Sequence, residues 1–320
     1  MRAFRVSLAL GVAVVVALAL ASWFTLAVAA GAVLVPMLTV LYLQTVEIYE
    51  GEPPLVLGVT AVWGLLVGVG IGLLTRSVTS TGPTALTATR THDVLLQGIL
   101  LPMALGGLAQ LGPLVLLRHR KFNDVLDGVT FGATVGAAAV GAQTFTLIAP
   151  SLTQGLHVPG RVAPLTARAI DLALLQPVLG MATIALASGA LWLRFHHPAV
   201  DRGALGPLGH PLTAIPIAAG LLILGAVGEP LRLSAGEWLA SLVVLDAIAL
   251  WCLRQVIHVG LLEEAAAIPI GPEFQCANCG EMTPRHSFCA SCGVSLRALP
   301  KPAAGGAQQR PVGGELPDSA

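Results

Sequence analysis

Uncharged residues run along this chain in long blocks, each of a length that suits helices crossing a lipid bilayer. Arg5 and Glu47 bracket 41 residues without a charge, room for two helices of about 20 residues each, with a break near Ala21–Trp23. Further blocks lie between Glu52 and Arg76, Asp93 and Arg118, Asp127 and Ser151, Asp171 and Arg194, Gly209 and Gly228, and, interrupted by Asp246 alone, Glu237 and Arg254. The pattern predicts an all-α polytopic membrane protein of about eight transmembrane helices, with seven and nine as the neighbouring counts. The first block is too long for a cleaved signal peptide and lacks its flanks, so it is read as helices one and two.

Composition agrees with the pattern. Only 11% of the 320 residues are charged, against roughly 25% in soluble domains, and 55% are apolar. A soluble globule must face water with part of its area and could not hide that much apolar surface. The 17 Lys and Arg balance the 17 Asp and Glu, so no basic surface for nucleic acid is expected. The lipid bilayer is the expected partner, with membrane proteins meeting the chain through its helices or its C-terminal module. Placing the N-terminus inside puts Arg2, Arg5, Arg118, Arg120, Lys121, Arg194, Arg202 and Arg254 in inner segments. The outer segments then hold Arg76, Arg90, Arg161, Arg168 and Arg232. This bias predicts a multi-pass protein of the cell membrane with both termini cytoplasmic.

After Arg254 the text changes. Residues 1–260 read as the transmembrane domain, 261–273 as a helical linker, 274–296 as a cysteine module and 297–320 as a disordered tail. The module reads Cys276-Ala-Asn-Cys279-Gly280, then Cys289-Ala-Ser-Cys292-Gly293. Two Cys-x-x-Cys-Gly knuckles can set four thiolates tetrahedrally around one ion, and zinc suits a closed four-sulfur site without an open coordination position. So short a segment cannot build its own core, and metal binding would supply its folding energy. Two disulfides or an iron site are the alternatives. His286 reads as an exposed loop residue and Cys252 as a small buried apolar one. The module resembles zinc ribbons appended to bacterial membrane and regulatory proteins, which implies a contact-making role.

Glycines recur at Gly64, Gly68 and Gly72, at Gly128, Gly132 and Gly136, and at Gly106, Gly107 and Gly112. Such ladders are expected to let helix backbones approach closely. The segment from Arg120 through Asp124, Asp127, Gly128 and Gly132 to Gly136 resembles a Phe-Asp-Asp-Pro-x-Asp-Gly stretch of the PrsW family, intramembrane metalloproteases related to CAAX prenyl endopeptidases. Glu47-Ile-Tyr49-Glu50-Gly-Glu52-Pro53-Pro54, with Ala61-Val-Trp63-Gly64, resembles the acidic loop and next helix of that family. The resemblance implies a PrsW/CAAX-protease-like bundle. It also implies that a Glu-Glu-x-x-Lys site should fall on Gly106, Gly107 and Gln110, and a later Glu on Gln143, with Thr144 where an Asn is usual.

Every expected ligand is thus replaced, and the helices that should supply histidine supply none. The reading that follows is a non-catalytic scaffold or regulator with a cytosolic zinc ribbon. An active intramembrane metalloprotease cleaving membrane-anchored substrates is one alternative, and a small carrier or channel is another. Asp171 is expected near an outer membrane boundary, Asp246 without metal-ligand companions, and Asp127 as a cap for the fifth helix. His119 and His196-His197 read as solvated surface.

Overall fold

The computed structural model describes residues 2–47, 54–81, 94–119, 122, 124–152, 162–195, 202–231, 234–267, 274–283, 289, 291–292 and 294. Ile48 to Pro53, Arg120, Lys121, Asn123, His196, His197, His286 and the tail 297–320 lie outside them. The chain divides into two compact units, Met1–Leu261 and Leu262–Ala320.

The first unit is a bundle of helices. They are α1 (Arg2–Leu20), α2 (Phe24–Glu47), α3 (Pro54–Thr81), α4 (Leu101–Leu116), α5 (Val125–Leu152), α6 (Val162–Ile170), α7 (Gln176–Phe195), α8 (Pro211–Leu231) and α9 (Ala235–Ala267). A π-helical segment, Val94–Leu100, leads into α4, and a second, Asp171–Leu175, joins α6 to α7. Among the described residues seven helical stretches are long and apolar enough to cross a membrane, α6 and α7 together forming the span Leu165–Phe195. The first of the eight expected spans is shorter, its apolar stretch running from Phe4 to Leu20.

The break foreseen at Ala21–Trp23 is a helix stop built by the backbone. Ser22 takes φ 63°, and the N–H groups of Ser22 and Trp23 donate to Ala19 O and Leu18 O at 3.1 and 2.9 Å. These two bonds satisfy two of the orphan carbonyls at the end of α1. At the start of α5, Asp127 reaches back to accept from Asp124 N at 3.1 Å, the cap expected of it. A Ser-x-x-Glu box opens α9, with Ser234 N and Oγ both donating to Glu237 Oε2.

The last helix continues unbroken past Arg254 to Ala267, so the linker begins as helix, as its sequence suggests. Leu261 to Ala267 are strong helix formers with no proline to stop them, and lipid is not needed to hold them helical.

Helix α5 is the axis of the bundle. Of its 28 residues 19 are buried, against four of the 16 in α4. The ladder on α3 explains one side of it, since a Cβ at Gly68 would overlap the Ala139 carbonyl oxygen. The α5 ladder explains the other: a Cβ at Gly132 would come within 2.6 Å of Ser188 Oγ and 2.7 Å of Ala185 Cα on α7. In lipid, where no hydrophobic force pushes helices together, such backbone contact is the main source of association. Gly68→Ala is therefore expected to lower thermal stability in detergent by the roughly 1–3 kcal/mol typical of overpacking. Gly70→Ala, whose Cβ would meet nothing within 4 Å, should leave the melting curve in place.

The third ladder does not pack in this way. A Cβ at Gly107 would meet nothing within 4 Å, one at Gly106 would touch Leu222 at 3.2 Å, and Gly112 faces the Trp63 indole.

Candidate functional site

The second unit holds the cysteine group. Strands β1 (Phe274–Gln275) and β2 (Met282–Thr283) pair antiparallel, with Phe274 opposite Thr283. The first knuckle turns between them. Gly280, at φ 78°, donates its N–H to Cys276 O at 2.8 Å, and Cys276 N donates to Glu281 O at 2.9 Å. The left-handed φ is why glycine follows the second cysteine. In the second knuckle Cys289 N donates to Val294 O at 2.9 Å.

The sulfurs of Cys276, Cys279, Cys289 and Cys292 lie within 4.8 Å of one another. Cys276 Sγ is 3.9 Å from Cys292 Sγ, and Cys279 Sγ is 3.7 Å from Cys289 Sγ. A disulfide needs about 2.05 Å, so neither pair is bonded. A tetrahedron with bonds of about 2.3 Å to zinc has edges near 3.8 Å, which these distances match. Hydrogen bonds prepare some of the thiolates. A backbone hydrogen bond from Cys292 helps bring the Cys289 thiol down to about 6. Cys292 is lowered by the backbone of Val294 and by the Asn278 amide, whose Nδ2 lies 3.6 Å from its sulfur. Cys279, despite a backbone hydrogen bond from Glu281 that acts downward, is pushed up to about 12, its neighbouring sulfurs contributing. Four thiolates this close need a cation among them to ionise together, and one zinc ion fits the donor set.

In the bundle, the positions marked by the resemblance separate into two cavities. Gly106, Gly107 and Gln110 of α4 line a space of about 130 Å³ with Thr183 and Ala187 of α7 and Ala218 of α8. Gln110 Nε2 donates to Ser188 Oγ at 2.9 Å, while its buried Oε1 has no hydrogen-bond partner among the described residues. Gln143 is elsewhere. It lines a space of about 160 Å³ together with Thr144 of α5, Gln97, Arg168, Gln176 and Trp238. Gly180 enters neither lining and packs against Val140.

This second cavity is the polar feature of the bundle that the sequence reading missed. Its amides come from three helical stretches distant in sequence, and both π-helical segments border it: Gln97 lies in one, and Leu172 in the other, followed at once by Gln176. π-Helical turns occur often at functional sites. Gln176 is held in place by Nε2 donating to Gly225 O at 2.6 Å. A usable signal was present, for polar side chains inside apolar spans are costly and mark function by default, and Gln97, Gln143 and Gln176 all lie within spans.

Asp171 stands behind this wall. It lies six residues into the span Leu165–Phe195 and is 1% exposed, shielded by protein. The reason is a partner one turn earlier: Arg168 donates through one guanidinium nitrogen to Asp171 Oδ2 at 2.7 Å, and Trp238 Nε1 donates to the same oxygen at 3.3 Å. Asp246, midway along α9, is 6% exposed, and neither carboxylate oxygen has a hydrogen-bond partner among the described residues. Cys252 is buried and His119 exposed, as read from the sequence.

Fold and site together define a multi-pass helical membrane protein with a C-terminal four-cysteine module of zinc-binding geometry. Set against family models, curated proteins and solved structures, the chain matches none of them.

Proposed function

We propose that this chain is a non-catalytic membrane scaffold of PrsW-like architecture, set in the cell membrane with both termini in the cytoplasm. Its bundle receives membrane-protein partners, and the zinc-bound cysteine module is its docking unit. The observation that supports this reading is the chemistry at the positions the resemblance reserves for catalysis. Gly106 and Gly107 border a small space, Gln110 is tied to Ser188, and Gln143 faces a different cavity. Glycines and neutral amides provide no carboxylate to grip a divalent ion or take a proton from water.

The test uses a photocrosslinking benzoylphenylalanine placed at Gly107, where open space receives it, in cells. A defined adduct with a membrane polypeptide is expected there, and none from the same residue at the exposed Leu250. Tagged single-span substrates made in the same cells should remain full length. Cleavage that disappears in Asp171→Asn or Asp246→Asn would replace the scaffold with a protease.

A further inference from the structure

We propose that the cavity lined by Gln97, Gln143, Gln176 and Arg168 is a binding site for a small uncharged molecule bearing an amide group. The inference is independent of the family resemblance and rests on the lining, the charge balance and the position of the cavity.

The lining comes first. Three primary amides from three helical stretches face one space of about 160 Å³, with Thr144 and the edge of Trp238 beside them. A primary amide carries an acceptor oxygen and a two-hydrogen donor side by side, and of the three only Gln176 already gives its nitrogen to Gly225 O among the bonds described above. A ligand amide pairs with such a group through both of its own functions, whereas an apolar occupant would displace water from these half-buried amides and offer nothing in return. The volume holds several waters or a solute of on the order of five to ten heavy atoms.

Charge decides the class further. Among the described residues of the lining the one cation, Arg168, is bound to Asp171 at 2.7 Å, and Trp238 donates to that same carboxylate. Among the described residues the wall is therefore balanced within itself. An anion entering would compete with Asp171 for the guanidinium, and a cation would meet Arg168. Both would exchange a formed, half-buried pair for a new one at a desolvation cost. An uncharged hydrogen-bonding solute disturbs nothing.

Position supplies access. The lining draws on the closing turns of α3 and α8 and on the opening turns of the α4, α6 and α9 spans, so the cavity lies toward one end of the bundle. Gln143 lies nine residues before the end of α5, roughly 13 Å along the helix axis. The two π-helical segments reach the cavity at that same end.

The experiment uses the full chain in detergent, labelled with 5-fluorotryptophan, with the Trp238 ¹⁹F resonance assigned through Trp238→Phe. Acetamide is titrated as the probe, with glycerol, acetate and methylammonium as comparison arms. The Trp238 signal is expected to move saturably with acetamide, and at least ten-fold more probe is needed in Gln97→Leu and in Gln143→Leu, which keep side-chain volume but remove the amides. These two variants sit on different helices, so a folding failure in one leaves the other as the test. Val59→Ala, on the exposed face of α3, should titrate as the unsubstituted chain does. The proposal is overturned if acetamide leaves the signal unmoved or if both Leu variants respond unchanged. It is equally overturned if glycerol, acetate or methylammonium acts at lower concentration than acetamide.

Discussion

Replacing Cys276 and Cys289 together by serine is expected to take the purified chain from one zinc ion per chain to none, read by plasma emission spectrometry. The four sulfurs are spaced for one tetrahedral ion, and two serines halve the donor set and remove one thiolate from each knuckle. The effect should be all-or-none because each knuckle alone has only two sulfurs. For small zinc modules the binding free energy, about 10–16 kcal/mol in apparent terms near neutral pH, is also the folding free energy. Loss of metal should thus expose the module to proteolysis, seen as faster trypsin cutting after Arg285 and Arg297. Acid should act in the same direction, since protons compete for the thiolates. Cys252→Ser, in the buried face of α9, should leave the zinc count at one. A second zinc that survives loss of the cysteine pair would place a metal centre in the helices and sink the scaffold reading.

Arg168→Met is expected to destabilise the bundle by about 3 kcal/mol, measured as thermal unfolding in detergent. The substitution keeps the aliphatic stem but strands Asp171, which is 1% exposed, with only the Trp238 indole donating to it among the contacts described above. Removing one partner of a buried pair leaves an uncompensated charge, at about 3–5 kcal/mol, and the partial exposure of the Arg168 side chain argues for the lower end. The double variant Arg168→Met with Asp171→Leu should recover most of the loss, because replacing both partners by apolar groups is often near neutral. A double variant as unstable as the single one would show that the pair is not what holds this corner together.

Much of the fold was legible in charge spacing. Lipid offers the backbone no hydrogen-bond partners, so an uncharged run of sufficient length has essentially one solution, the helix. The break before Phe24 and the cap at Asp127 were readable for a similar local reason, for both are settled within a few residues. The helical start of the linker was readable as well, because Leu261 to Ala267 are strong helix formers with no proline among them, and α9 runs to Ala267.

The site was legible only in part. Cys-x-x-Cys-Gly repeated at short range carries its own geometry, and the four sulfurs meet as the spacing requires. The glycine ladders were ambiguous: Gly68 and Gly107 look alike in text, yet one touches a neighbouring backbone and the other faces open space. The polar cavity left only a partial trace, polar side chains inside apolar spans, and no sign that they meet. Gln97, Gln143 and Gln176 lie on separate spans, and nothing local says which faces of those spans turn toward one another.

The amino-acid sequence by itself determined that this is a multi-pass helical protein with a separate four-cysteine module, because both follow from local rules: bilayer burial of uncharged runs and ligand spacing on a short chain. Only the tertiary structure decided that Gln143 belongs with Gln97 and Gln176 rather than with Gln110, and that Asp171 is buried against Arg168 and Trp238. Helix rotation and partner choice set those meetings, and they arise from packing among side chains far apart in the chain.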